Sequence, residues 1–240
     1  MDKIEYQAIN ILKVIGKDSK RYLNSRLTNN IKDLQINDSI HSAMINAQGK
    51  CQGIFDVLCI SNEEFIIFNS FQDKEKIVKD LKQFLVADRV VVEDISEKLE
   101  DNSFDKAKIK SLYYYDVLKN NSYDYLLYLR VKNSYPIWGS EIFESTSIAE
   151  LDYKKYCSFT KGCYVGQEVV ERVDAMGKSP YFILPFVAEV STNLELDNVL
   201  SFTNNSYEEK KWGFIRVKNS PNFKEQLSEL GIKVLDSNAV

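Results

Sequence analysis

The sequence contains a single histidine, His41, and no run of lysine or arginine. One histidine is poor material for a zinc site, and Cys157 and Cys163, separated by five residues, do not supply the missing ligands. Lysine and arginine total 31 against 35 aspartates and glutamates, a formal net charge of −4. Broad direct binding of nucleic acid is therefore not expected. Apolar runs are only a few residues long, far short of the ~20 needed to span a membrane. Met1-Asp2-Lys3-Ile4-Glu5-Tyr6 lacks the basic and apolar regions of a signal peptide and the arginine-rich look of a transit peptide. A cytoplasmic protein is expected. Its four cysteines (Cys51, Cys59, Cys157, Cys163) read as free thiols rather than a disulfide framework. A local Cys157–Cys163 disulfide has nothing in the sequence to support it.

Glycine is also scarce, with nine in 240 residues, yet two fall within five residues in Lys161-Gly162-Cys163-Tyr164-Val165-Gly166-Gln167-Glu168-Val169-Val170. Such a pair indicates positive φ or close backbone approach. Val165, Val169 and Val173 then recur at helical spacing, with Gln167, Glu168, Glu171 and Arg172 off that stripe. A thiol just before a helix N-terminus and near a lysine is pushed toward thiolate, which would make Cys163 reactive. The alternative is a tight turn in which Cys163 is a small hydrophobe.

Residues 9–15 read as a strand turned at Gly16, with Asp18 or Ser19 capping a helix to about Leu27 that buries Tyr22, Leu23 and Leu27. Residues 39–47 and 53–60 form a hairpin about Gln48-Gly49-Lys50. Phe65–Phe68 is a strand, 73–86 a helix with Ile77, Val78, Leu81, Phe84 and Leu85 on its apolar stripe, and 89–95 a strand. This order suits an antiparallel sheet with its helix on one face, an α+β unit. In Ile54–Ile60 both alternating faces are apolar, so the strand is buried on both sides and Asp56 with it. A buried carboxylate needs a reason: accepting hydrogen bonds from a loop, or touching a ligand.

Residues 96–110 are charged and mark a loop or internal boundary. Leu112–Tyr115 and Tyr125–Val131 read as strand-rich, joined through Asn120-Asn121. Tyr113-Tyr114-Tyr115 reads as a strand with alternate rings inside, or as a stacking platform for a base or pterin ring. Pro136-Ile137-Trp138-Gly139 is a turn, and Ile148–Tyr156 a short helix. After Gly177, strands at Tyr181–Val190, Val199–Thr203 and Trp212–Val217 suggest a small β-barrel or sandwich. A helix from Ser220-Pro221 follows, with Phe223, Leu227 and Leu230 on one face, ended by Gly231.

Lys-Gly-Cys-Tyr-Val-Gly-Gln-Glu, residues 161–168, resembles the signature of the folate-binding YgfZ family, relatives of the glycine-cleavage T-protein (aminomethyltransferase). Two more segments resemble that family in order. One is Val14-Ile15-Gly16-Lys17-Asp18-Ser19 through Tyr22-Leu23 to Leu27-Thr28-Asn29, and the other is Gln48-Gly49-Lys50 with Ile54-Phe55-Asp56. The resemblance covers residues 9–180, and the last sixty match only by position. It implies an α+β folate-binding body over 1–178 and a small C-terminal β-barrel over 179–240.

The resemblance also implies a function. The protein would bind tetrahydrofolate or a derivative and support iron–sulfur cluster assembly or repair, and through it cluster enzymes that modify tRNA. Its partners would be iron–sulfur proteins or assembly factors. Cys163 would be the reactive thiol, biased toward thiolate by Lys161, with Gly162 and Gly166 shaping the turn around Tyr164. Gln167 and Glu168 would fix the loop. T-protein relatives carry an Asp-Asp pair where this chain has Phe55-Asp56, which keeps a folate contact for Asp56 but counts against T-protein catalysis. The segment Asp174-Ala175-Met176-Gly177-Lys178-Ser179-Pro180 also has fewer basic residues than relatives carry. A folate-dependent one-carbon transferase and a non-catalytic protein-binding module are the alternatives.

Overall fold

The computed structural model describes residues 9–69, 72–85, 88–97, 109–177 and 179–235. Its first sheet joins β1 (Asn10–Ile15), β2 (Ser39–Ile45), β3 (Cys51–Ser61), β4 (Glu64–Asn69) and β5 (Val91–Asp94) in the order β2-β3-β4-β1-β5. Every pairing is antiparallel. Helices α1 (Ser19–Arg26) and α2 (Lys74–Lys82) cover one face, packing Tyr22, Leu23, Ile77 and Leu81 on Phe55, Val57, Phe65 and Ile67. The other face, with Leu58, Ile66 and Phe68, lies beneath Ile109 and Tyr115. Burial on both sides explains the uninterrupted apolar character of β3.

The strand reading of 112–115 and 125–131 is corrected. These residues lie in two helices, α3 (Lys110–Asn120) and α4 (Tyr123–Lys132). Tyrosine, valine and leucine gave the segments a β-like composition, but tertiary packing overrides that preference. In α4, Leu127 and Val131 join the cluster shared with the second sheet while Leu126 faces Tyr114 and Tyr135. Apolar residues on two sides obscured the helical period, although Ser122 caps α4 by accepting the Tyr125 N–H at 3.2 Å.

Other expectations are adjusted. Helix α2 stops at Lys82, so Phe84 leaves the buried stripe, 48% exposed beneath the Arg26 guanidinium. Asp18 accepts hydrogen bonds from Arg89 instead of capping α1 through its side chain. The helix expected over Ile148–Tyr156 is two single 3₁₀ turns, Ile148–Glu150 and Tyr153–Lys155. The expected boundary at 96–110 falls largely on residues 98–108, which lie outside the described residues, as do Met1–Tyr6 and Lys178.

The C-terminal strands β6 (Tyr181–Glu189), β7 (Val199–Phe202), β8 (Lys210–Lys218) and β9 (Ile232–Val234) make an antiparallel sheet ordered β7-β8-β6-β9. Among the described residues this sheet is open, and the expected closed barrel does not form. Helix α6 (Phe223–Glu229) covers one face through Leu227, while Leu230 lies past its end, 52% exposed. The other face packs Ile183, Trp212 and Phe214 on the body. A fully buried Arg130–Glu141 ion pair at 2.6 Å reinforces that junction, with Glu141 also accepting the Ser201 hydroxyl at 2.6 Å.

Candidate functional site

The three segments that carry the family resemblance converge on the loop before α5 (Gln167–Met176). Lys161 points inward, and its ammonium donates to the carbonyls of Asn24, Leu27 and, at 2.8 Å, Asn29. Carbonyls at a helix C-terminus lack intrahelical partners and carry partial negative charge. Lys161 therefore caps α1 from 137 residues away, measured to Asn24. The Tyr164 ring lies 4.9 Å from the ammonium, and burial pushes the Lys161 pKa down to about 8.

That geometry corrects the expected partnership between Lys161 and Cys163. The ammonium is committed to carbonyl oxygens, and the thiol it influences is that of Cys157. Cys163 itself is exposed, three residues before the Gly166 cap of α5. The other cysteines are buried, and burial pushes Cys157 up to about 12 and raises Cys51 and Cys59 as well. Among the four thiols, Cys163 alone faces solvent.

The two signature glycines differ. Gly166 has φ of +82°, and a Cβ there would meet the Asn46 carbonyl oxygen at 2.4 Å. It thus seats the start of α5 on the β2–β3 hairpin turn. Gly162 lies in open space, so the expectation of a tight approach at that position is corrected. Gln167 accepts the Tyr164 N–H at 3.2 Å and donates to Glu171, while Glu168 sits exposed in the first turn of α5, where a negative charge suits the helix dipole. The buried residue of α5 is Val170, with Val169 against Gly49; the expected Val165–Val169–Val173 stripe is only half-buried.

Asp56 lies at the centre of a second cluster, 1% exposed on the α3 face of β3. Opposite it in the β2–β3 register stands His41, whose Nδ1 meets the carboxylate. The other carboxylate oxygen accepts the Ser111 N–H at 2.6 Å and the Ser111 hydroxyl. Tyr135 lies 3.3 Å from that hydroxyl, and the His41 ring sits 5.8 Å from the Tyr135 ring and 6.3 Å from that of Tyr156. Burial, followed by the Asp56 charge, raises the pKa of both tyrosines. Asp56 thus has the structural reason anticipated for a buried carboxylate.

Thr28 and Asn29 bridge the clusters. Asn29 donates to the His41 carbonyl at 2.8 Å and accepts from Lys161, while the Thr28 hydroxyl donates to the Tyr156 carbonyl at 2.6 Å. Ser111 and Tyr135 carry no sequence signal, His41 stood out only as the single histidine, and only the parity of Asp56 within β3 hinted at buried partners. The Tyr113–Tyr115 run lies on helix α3, leaving Tyr113 exposed and Tyr114 buried against Tyr135, so the three rings form neither an alternating strand nor a platform. No group of three or more histidine, cysteine or acidic residues that could hold a metal ion occurs among the described residues. No described helix is long and apolar enough to cross a membrane.

No protein-family model matches the sequence, and no curated protein matches it. The structure is similar to the crystal structure of glycine cleavage system aminomethyltransferase T from Bartonella henselae, with a TM-score of 0.69 at 9% sequence identity. The likeness spans 88% of this chain and 76% of that one. At this identity the likeness is one of fold alone.

Proposed function

We propose that the protein is a folate-binding accessory factor that supports iron–sulfur cluster assembly or repair, and through it cluster enzymes that modify tRNA. The observation that carries this reading is the presentation of Cys163. A lone exposed thiol stands on a loop anchored by Lys161 and Gly166, within a fold like that of an aminomethyltransferase. Cys163 serves transient sulfur chemistry or redox exchange with an iron–sulfur protein or assembly factor in the cytoplasm. The folate is tetrahydrofolate or a derivative, held in the α+β body of residues 1–178.

The Asp56 cluster fits such a ligand. A carboxylate offers about four acceptor positions, and the two Ser111 donors take up two of them, both on one oxygen, while His41 Nδ1 stands against the other. His41 keeps its side chain 19% exposed between two tyrosine rings. Asp56 and His41 would hold the folate, which supplies one-carbon acceptor chemistry when bound. Calorimetric titration of the reduced protein with tetrahydrofolate, beside Asp56→Asn, tests the binding. Saturable binding weakened by the substitution is expected, and a folded wild type that binds no folate sinks this reading. Cys163→Ser should fail to restore cluster-enzyme activity in cells lacking the homologous factor.

The fold likeness favours a second reading, a folate-dependent one-carbon transferase. It requires aminomethyl transfer to tetrahydrofolate that disappears in Asp56→Ala.

A further inference from the structure

The C-terminal sheet carries a shallow groove of about 310 Å³ lined by Tyr181, Asp197, Asn198, Leu200, Arg216 and Lys218. The β6–β8 register sets Tyr181 opposite Lys218 and Ile183 opposite Arg216, so these four side chains share one sheet face. Ile183 is buried against the body, whereas Lys218, one pair further along, is exposed. The groove thus lies where this face emerges from the junction between the two sheets, a common setting for ligand sites.

Arg216 is held there in advance. Its Nε donates at 2.7 Å to Glu150, which is 4% exposed and closes a capping box with Ser147. Its guanidinium carbon lies 3.9 Å from the centre of the Tyr181 ring. One edge and one face are fixed, while the terminal nitrogens donate to no group among the described residues. The Lys218 ammonium likewise has no partner among them. A planar guanidinium already oriented, beside a second free cation, matches the acceptor geometry of carboxylate and phosphate groups. Asp197 lines the same groove and opposes a ligand of high negative charge.

We propose that this groove is a binding site for a small organic anion, taken up through a carboxylate or phosphate group by Arg216 and Lys218. The site is independent of Cys163 and of the folate reading. It is tested by following backbone amide resonances of the full chain at constant ionic strength, with inorganic phosphate in one arm and glutarate in the other. Saturable shifts confined to Tyr181, Asn198, Leu200, Arg216 and Lys218 are expected in at least one arm, and the tighter arm identifies the group. Arg216→Gln should weaken that binding by about ten-fold or more, the loss expected for a charge-assisted hydrogen bond. Because that change also removes the Glu150 contact, two exposed substitutions keep the test decisive. Lys218→Gln should weaken binding by about three-fold or more, and Asp197→Asn should tighten it, as expected from removal of one attractive and one repulsive charge. Shifts that fail to saturate in both arms, or unchanged affinity in both exposed variants, would overturn the proposal.

Discussion

Asp56, in the middle of β3, accepts the backbone N–H and the hydroxyl of Ser111 at the start of α3, 55 residues away. The residue at the N-cap position of α3 is Ile109, which has no side-chain acceptor to offer. The first N–H groups of a helix have no intrahelical partners. A carboxylate placed there satisfies a donor and complements the positive end of the helix dipole. Asp56 therefore caps α3 across the sheet.

This relationship predicts that Asp56→Ala costs about 3 kcal/mol or more, because two charge-assisted hydrogen bonds are lost and the buried Ser111 donors are left without an acceptor. Ser111→Ala, which keeps the backbone donor, should cost about 1 kcal/mol. Urea unfolding followed by circular dichroism measures both. Equal costs for the two variants would show that the cap does not form.

The signature glycines should separate cleanly. Gly166→Ala combines an unfavourable left-handed backbone with a clash against the Asn46 carbonyl, and should lose about 2 kcal/mol or more. Gly162→Ala meets open space and should change stability by less than about 0.5 kcal/mol. Thermal melts of the two variants give the comparison, and a damaging Gly162→Ala would contradict the placement of this loop.

Thiol labelling should follow burial. Under native conditions iodoacetamide should modify one cysteine, Cys163, with Cys51, Cys59 and Cys157 protected until the chain unfolds. Peptide mass spectrometry after a timed quench reads the sites directly. Native labelling of Cys157 at the rate of Cys163 would refute the packing described around it.

Lys161 should leave a signature in alkaline solution. Burial holds its pKa at about 8 in the folded chain, below the ordinary 10.5. Between those two values the unfolded state binds more protons than the folded one, so the contribution of Lys161 to stability rises with pH through that window. Lys161→Met should remove that rise. The same variant should be less stable at pH 7, because three carbonyls lose their donor. The difference in unfolding free energy between wild type and variant, measured from pH 7 to pH 10.5, checks the slope. A difference independent of pH contradicts the assignment.

Local pattern by itself determined β1 through β4, the helical faces of α1 and α2, the turn at Gln48-Gly49-Lys50 and the burial of Asp56. Each of these is written in neighbouring residues: β-branched and aromatic runs bounded by turn residues for the strands, a spacing of three to four for the helical faces. The tyrosine-rich helices α3 and α4 were not legible, since side chains buried on several sides erase that period and β-like composition then misleads. Only tertiary structure decided where the long or capping side chains point. Lys161 reaches α1 rather than the thiol two residues on, and Asp56 answers a helix that starts 54 positions later. A flexible side chain finds the donor or acceptor that packing leaves unsatisfied, and that group belongs to a distant segment whose position no local spacing records.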